Sequence, residues 1–421
     1  MTLTLEARPT ALARIEWLEA GSPHTALWRS ERAAPPPRRV MLADDTTAAD
    51  SAYRLACEGT GLLWRGDFQN ARQLLLALAR RIDHVPRRKA RAPAPSSAPS
   101  FAPSLAASPT SSTAAPSVDA QPAAVFHRHR QAQSQRARVL AQVLIPLDAD
   151  YTIPLRRAPD VRLACTQAWG PAGGAEAGPS VVSLRELLGV VSAFEWRKKG
   201  VPFAALGPAP DNRIHPHYGV FSPVRGEYVD LVAHTTLPTG ADALAFDIGT
   251  GTGVLAAVLA KRGVQRVVAT EVDSRALACA AENFAQLEVA AQVELLLVDL
   301  FPEGRAALVV CNPPWLPARA SSPIERAVYD EGSHMLLGFL AGLRAHLLPG
   351  GEGWLILSDL AEHLKLRTRA ELLATIDSAG LQVLGRVDIR PKHAKASDEA
   401  DPLHAARAKE VTSLWRLGAR G

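Results

Sequence analysis

The segment Asp247-Ile248-Gly249-Thr250-Gly251-Thr252-Gly253 constrains this chain more than any other. It follows the apolar run Ala243 to Phe246 and precedes Val254-Leu255-Ala256, so it joins a buried strand to a helix through three glycines at alternate positions. Glycine belongs where backbone turns tightly or lies against a ligand, and the helix beyond it offers unpaired N–H groups. A dinucleotide-binding turn spaces its glycines as Gly-x-Gly-x-x-Gly. This turn does not.

From Ala243 onward, short apolar runs alternate with helical stretches, which predicts an α/β fold with a parallel sheet covered on both faces. Strands are expected at Ala243 to Ile248, Arg266 to Glu271, Val293 to Val298, Ala307 to Cys311, Gly353 to Ser358, Leu381 to Ile389 and Val411 to Leu417. Between the last two, Arg390 to Glu410 is polar and holds Pro391 and Pro402, leaving no room for a crossover helix. Those strands are therefore expected to pair antiparallel. The fold expected is a Rossmann-like seven-stranded sheet, its last strand antiparallel, preceded by a mostly helical N-terminal region.

The strand ends carry the polar groups. The second strand ends at Glu271, eighteen residues after Gly253, with Asp273 just before the helix Ser274 to Phe284. The third ends at Val298-Asp299-Leu300, and the fourth runs into Asn312-Pro313-Pro314-Trp315. Groups at the C-terminal ends of parallel strands face one crevice. Two consecutive prolines remove two N–H donors and leave neighbouring carbonyls as acceptors; the Asn312 oxygen adds another, and Trp315 a flat apolar face. Such a set suits a planar NH2 group held by Asn312 and the Pro313 carbonyl.

Together these residues resemble the class I S-adenosylmethionine-dependent methyltransferases. The likeness is to the small-domain group, whose amino-methylating branch includes release-factor glutamine methyltransferases, rRNA guanine-N2 enzymes and adenine-N6 enzymes. It covers about residues 214 to 417, and Val298-Asp299-Leu300-Phe301-Pro302-Glu303 and Asn283 resemble the release-factor enzymes in particular. The resemblance implies S-adenosylmethionine as cofactor, bound by Asp247, Gly249, Gly251, Gly253, Glu271, Asp299 and Asn312. In it Asp247 approaches the donor's amino group, Glu271 accepts the ribose hydroxyls and Asp299 contacts the adenine amino group; Asp273 competes for the ribose role or caps its helix. Asn312, Pro313, Pro314 and Trp315 are the implied catalytic set, and Tyr218, Phe221, Pro223 and Arg225 lie where the group has a loop closing over the donor. Trp315 stands in place of the usual Tyr or Phe. The acceptor implied is an amino group of an RNA or DNA base, alternatively a protein glutamine amide; a module that binds the cofactor without catalysis has no support, because every motif position is filled.

Upstream, Ala90 to Ala124 has 27 Ala, Ser or Pro in 35 residues, with Arg91 and Asp119 its only charges. So little apolar bulk cannot offset the roughly 1 to 2 kcal/mol that ordering each residue's backbone costs, and a disordered linker is expected. This divides the chain into a small helical domain (1–89), the linker (90–124), an α+β accessory region (125–213) and the methyltransferase domain (214–421). Helices are expected at Ala11 to Leu18, Thr47 to Glu58, Asn70 to Ile82, His127 to Leu144 and Ser183 to Trp196. None of the upstream segment, about 210 residues, matches a recognition domain of the group.

Charge is uneven. Residues 1 to 239 hold 28 Lys and Arg against 20 Asp and Glu, and residues 240 to 421 hold 19 against 22. A basic upstream half suits a nucleic-acid partner. The four cysteines form no Cys-x-x-Cys pair and read as buried thiols, and His127 and His129 are spaced so that they cannot share a helical face; no metal is expected. With no apolar run near the roughly 20 residues of a membrane span, and charges throughout Met1 to Trp17, no membrane partner is expected and the location is expected to be cytoplasmic.

Overall fold

The computed structural model describes residues 13–84, 122–173, 178–223, 225–391, 398–399 and 401–421. They build two sheets. The first opens with a hairpin in which β1 (Arg14–Glu19) and β2 (Ser22–Arg29) pair antiparallel around Ala20-Gly21, with φ of 50° and 80°. Positive φ at both turn residues matches the twist of the flanking strands. The segment expected as a helix at Ala11 to Leu18 is thus a strand. Ile15 is buried between exposed Arg14 and Glu16, a period of two that belongs to a strand.

β3 (Arg39–Ala43), α1 (Ala49–Cys57), β4 (Thr60–Trp64), α2 (Phe68–His84), α3 (Pro122–Leu140), β5 (Val143–Leu147), α4 (Arg162–Trp169), β6 (Ser180–Ser183) and α5 (Leu184–Lys199) follow. The strand order is β1-β2-β6-β5-β4-β3. This corrects the expected division. The small helical domain (1–89) and the accessory region (125–213) are two parts of one mixed α/β layer, since β4 pairs parallel with β5 and Trp64, Phe68 and Leu78 share a core with Val143, Ile145 and Leu187. The strands were hidden because β4 and β5 are five-residue runs buried on both faces, which have no polar period to reveal them. The 90–124 segment lies outside the described residues up to Gln121, and Pro122 to Ala124 open α3.

A two-residue pair, β7 (Val201–Pro202) with β8 (Arg213–Ile214), and helix α6 (Glu227–His234) lead into the second sheet. Its strands are β9 (Leu244–Ile248), β10 (Arg266–Glu271), β11 (Val293–Leu297), β12 (Ala306–Cys311), β13 (Leu347–Ser358), β14 (Leu381–Ile389) and β15 (Thr412–Ala419), in the order β11-β10-β9-β12-β13-β15-β14. β15 runs antiparallel to both neighbours, and the other pairings are parallel. All seven lie where the sequence places them. Between them run α7 (Val254–Lys261), α8 (Ser274–Gln286), α9 (His334–His346), the short α10 (Leu360–His363), α11 (Arg369–Ser378) and the short α12 (His404–Arg407).

Alternate strand residues feed two cores. Ala245, Val267 and Val310 pack with α6, α7 and α8 on one face; Phe246, Val309 and Leu355 pack with α9 and α11 on the other. The strand order reverses direction at β9, which lies between β10 and β12, so a crevice opens beyond the C-terminal ends of β9 and β12. Among the described residues, no helix is long and apolar enough to cross a membrane, and no group of three His, Cys, Asp or Glu side chains could hold a metal ion. Cys165, Cys279 and Cys311 are buried; Cys57 is exposed, which corrects the reading of four buried thiols.

Candidate active site

Gly249, Gly251 and Gly253 all hold positive φ (71°, 58° and 83°), a conformation that the Cβ of other residues disfavours. Their surroundings differ. A Cβ at Gly249 would strike Met335 Cε, and one at Gly253 would come within 2.5 Å of the Phe284 ring. A Cβ at Gly251 would meet nothing within 4 Å. Two of the glycines therefore serve close packing, and the middle one borders open space at the strand end, a cradle that fits a nucleoside-bearing cofactor.

Asp247 anchors this turn from below. It is 1% exposed, and its Oδ2 accepts the Thr250 hydroxyl at 2.7 Å and the Ala256 N–H at 3.1 Å, tying the turn to the start of α7. Burial, partly offset by those two hydrogen bonds, raises its carboxyl to about 6. Asn283, fully buried in α8, donates to the Thr252 carbonyl at 3.0 Å and accepts the His215 N–H at 2.8 Å, so it links the turn to the upstream loop.

At the end of β10 the Glu271 carboxylate spans the turn and the next helix. Oε2 accepts the Gly251 N–H at 3.0 Å, while Oε1 accepts the N–H groups of Val272 at 2.8 Å and Asp273 at 3.1 Å. Asp273 is the N-cap of α8, accepting the Arg275 N–H at 2.9 Å. The two acids thus separate by role, with Glu271 against the glycine turn and Asp273 on its helix. Asp299 is exposed just past β11, and the next residue, Leu300, has a φ of 55° and accepts the Thr270 hydroxyl at 2.6 Å.

β12 delivers Asn312-Pro313-Pro314-Trp315 into the same crevice. The Trp315 indole N–H donates to Asn312 Oδ1 at 2.9 Å, and the Arg225 guanidinium lies 5.2 Å from the indole centroid. Arg225 also donates to Glu227 at 3.2 Å and to Glu410 at 3.0 Å. The Glu410 side chain has no solvent exposure and accepts the Ser358 hydroxyl at 2.7 Å. Of the four residues expected in the closing loop, Arg225 meets the tetrapeptide, whereas Tyr218 packs against the core of the first sheet; Phe221 is half-buried and Pro223 buried between them. Sequence reasoning missed Glu227, Glu410 and Met335. Glu410 lies 185 residues from Arg225, and no local signal joins positions so far apart.

Residues 211–367 match the model of the methyltransferase small domain. The chain is 38% identical over 124 residues to a release factor glutamine methyltransferase of Cereibacter sphaeroides, covering 26% of this chain and 44% of that protein. A ribosomal protein L11 methyltransferase of Geobacter metallireducens is 34% identical over 168 residues, covering 35% and 53%. A tRNA1(Val) (adenine(37)-N6)-methyltransferase of Pedobacter heparinus is 32% identical over 117 residues, covering 26% and 50%. The chain spans about half the length of these curated relatives.

Proposed function

We propose that this chain, which carries a class I S-adenosylmethionine-dependent methyltransferase domain around residues 211–367, methylates a planar amino group on a nucleic-acid base. The observation that carries the reading is the pairing of Asn312 and Trp315 at the end of β12. When bound, S-adenosylmethionine supplies an electrophilic methyl group on a sulfonium. Gly251, Glu271 and Asp299 border the space that would hold it.

The chain's own contribution is alignment. An amide oxygen has two lone pairs; the indole N–H occupies one at Asn312, and the other is left for an acceptor N–H. With the Pro313 carbonyl as second acceptor, the amino group is held in plane and its nitrogen lone pair is turned out of it. As that nitrogen gains the bond to the methyl carbon, the carbon–sulfur bond would break with its electron pair left on sulfur as a neutral thioether; the nitrogen becomes positive, its N–H groups press harder on the two oxygens, which therefore stabilise the transition state more than the ground state, and one N–H proton then passes to solvent. Alignment of this kind is worth up to roughly 7 to 11 kcal/mol in good intramolecular systems.

The basic excess of residues 1 to 239 and the breadth of the indole support a nucleobase. A second reading, a protein glutamine amide, is favoured by the 38% identity to a release factor glutamine methyltransferase. The test is transfer of tritiated methyl from S-adenosylmethionine to purified RNA, DNA, ribosomes and soluble protein in parallel. Label in nucleic acid is expected; label confined to protein supports the second reading and rejects the first.

A further inference from the structure

Between the two sheets lies a cavity of ≈ 970 Å³ that the catalytic tetrapeptide does not enter. α3, α5 and the loop after β2 wall it on one side, and residues 216–222 and 321–324 on the other. The second wall leads to the active site in both directions. Residues 216–222 run on to Arg225, which covers Trp315, and residues 321–324 come shortly after the tetrapeptide, with Leu316 to Ala320 between them.

The lining is cationic. Arg32, Arg138 and Arg185 face it, with Glu31 and Glu186 as the acids. Glu31 is already bonded to Arg275 at 2.7 Å, and Glu186 accepts the Glu31 N–H at 2.6 Å. Burial, and after it the neighbouring Arg32 and Arg136 charges, lower the proton affinity of Arg185, against the opposing charges of Glu186 and Glu325. Gln142, Ser222 and Ser322 belong to the lining, with Gln142 Oε1, Ser222 Oγ and Ser322 Oγ themselves sealed from solvent and without a hydrogen-bond partner among the described residues. Trp196 adds a half-exposed indole at the wall.

We infer that this cavity binds a phosphate-bearing stretch of a single-stranded nucleic-acid acceptor beside the base to be methylated. The inference rests on the nucleic-acid reading proposed above. Guanidinium groups match phosphate oxygens in bidentate fashion, and the indole offers a stacking face. The size suits such a ligand, being at the upper end of the usual range for small-molecule pockets.

The test uses the full chain and a fluorescein-labelled single-stranded RNA 12-mer of mixed sequence, with affinity read by anisotropy across a potassium chloride series. Arg32 and Arg138 are exposed, so Arg32→Ala, Arg138→Ala and the double variant are suitable; S-adenosylmethionine affinity by calorimetry checks that the methyltransferase domain is intact. Each substitution is expected to weaken RNA binding about tenfold and to reduce the salt slope by roughly 0.7, with cofactor affinity unchanged. Trp196→Ala is expected to weaken it at least fivefold with the slope unchanged. If nucleic acid is methylated while the arginine variants keep the parent affinity and slope, the cavity assignment is wrong and the proposed function stands. If the parent binds no RNA at low salt and methylates protein alone, both are overturned.

Discussion

The Trp315 indole N–H and the Asn312 amide oxygen lie 2.9 Å apart, three residues from each other on a segment stiffened by two prolines. A Phe has no ring donor, so this contact depends on the residue that departs from the usual Tyr or Phe. It fixes which way the amide points. With Oδ1 tied to the indole, the Asn312 NH2 cannot rotate into that position, where it would repel an acceptor N–H instead of accepting from it. The ring that orients the amide also stacks beneath Arg225, so the tetrapeptide is braced from the upstream loop.

Of the two roles that the resemblance implies for Asn312, the catalytic one is expected to dominate and the cofactor contact to be minor, and Asn312→Ala separates them. It removes an acceptor that strengthens as charge develops and loosens the alignment of the amino group, each effect worth a few kcal/mol. The rate of methyl transfer in single-turnover experiments is expected to fall about 100-fold or more, with S-adenosylmethionine affinity nearly unchanged by calorimetry. Near-normal turnover would leave the tetrapeptide as no more than a rigid strand end.

Trp315→Phe keeps the flat face and deletes the N–H. Loss of one neutral hydrogen bond is worth about 1 kcal/mol, so kcat is expected to drop roughly fivefold to tenfold while KM stays within twofold. Trp315→Ala should in addition raise KM for a nucleobase acceptor, in line with a stacking contribution of about 1 to 3 kcal/mol. Steady-state kinetics on the two variants distinguishes the effects, and a Phe variant with parental kcat would remove the orienting role from the indole.

The catalytic half was legible in the sequence because its signals are local. A strand ending in Asp247 and three glycines, acids at the ends of β10 and β11, and Asn-Pro-Pro-Trp after β12 each lie within a few residues of the structure they specify. The first sheet was not legible for the opposite reason. Its β5 and β6 follow a long segment, and strands such as Thr60-Gly61-Leu62-Leu63-Trp64, buried on both faces, carry no alternation. Within the site the same rule holds: the Glu271 contact to Gly251 spans 20 residues and joins two residues that local motifs single out separately, whereas Arg225 to Glu410 spans 185 and no local signal picks out Glu410.

Glu271 and Asp273 predict different losses. Gly251→Val puts a branched side chain into the open space of the turn, and Glu271→Ala removes a carboxylate that holds the Gly251 N–H. Both should weaken S-adenosylmethionine binding, the second by roughly 1.5 to 3 kcal/mol, the range for a hydrogen bond to a charged group. Asp273→Ala deletes an N-cap and is expected to cost about 1 kcal/mol of stability with little change in cofactor affinity. Calorimetry and urea unfolding on the three variants read these losses directly; unchanged cofactor affinity in Gly251→Val would reject the cradle.

Arg225 joins the upstream loop to a carboxylate sealed from solvent. Arg225→Met keeps an apolar stem near Trp315 but takes the guanidinium from both Glu410 and Glu227, and breaking buried pairs in this way costs about 3 kcal/mol or more. Adding Glu410→Gln removes the more deeply buried of the two charges and is expected to recover part of that loss. Urea denaturation of parent, single and double variants forms the cycle. Equal destabilisation in the single and double variants would show that the charge of Glu410 does not need Arg225.

Asp247 gives the protein a pH dependence of definite sign. Its carboxyl lies at about 6 in the folded chain against an ordinary 3.8, chiefly because it is buried beneath the glycine turn. Between those values the folded protein holds a proton that the unfolded chain has released. Stability from this group therefore falls as pH rises through the window and stays at the lower level above it, by about 3 kcal/mol for a shift near two units. Carboxylates held low by arginines, such as Glu19, brought to about 2 by Arg65 and Trp17, act in the opposite sense over a more acidic range. The parent curve mixes the two, so the informative quantity is the difference between parent and Asp247→Asn. The asparagine oxygen can still accept from Thr250 and Ala256, and it does not titrate. Urea unfolding at intervals from pH 4 to pH 7 should show the variant gaining on the parent by up to about 3 kcal/mol across the series. A difference that stays flat over this range would mean that the Asp247 carboxylate is ionised throughout it, its charge met by the Thr250 hydroxyl and the Ala256 N–H.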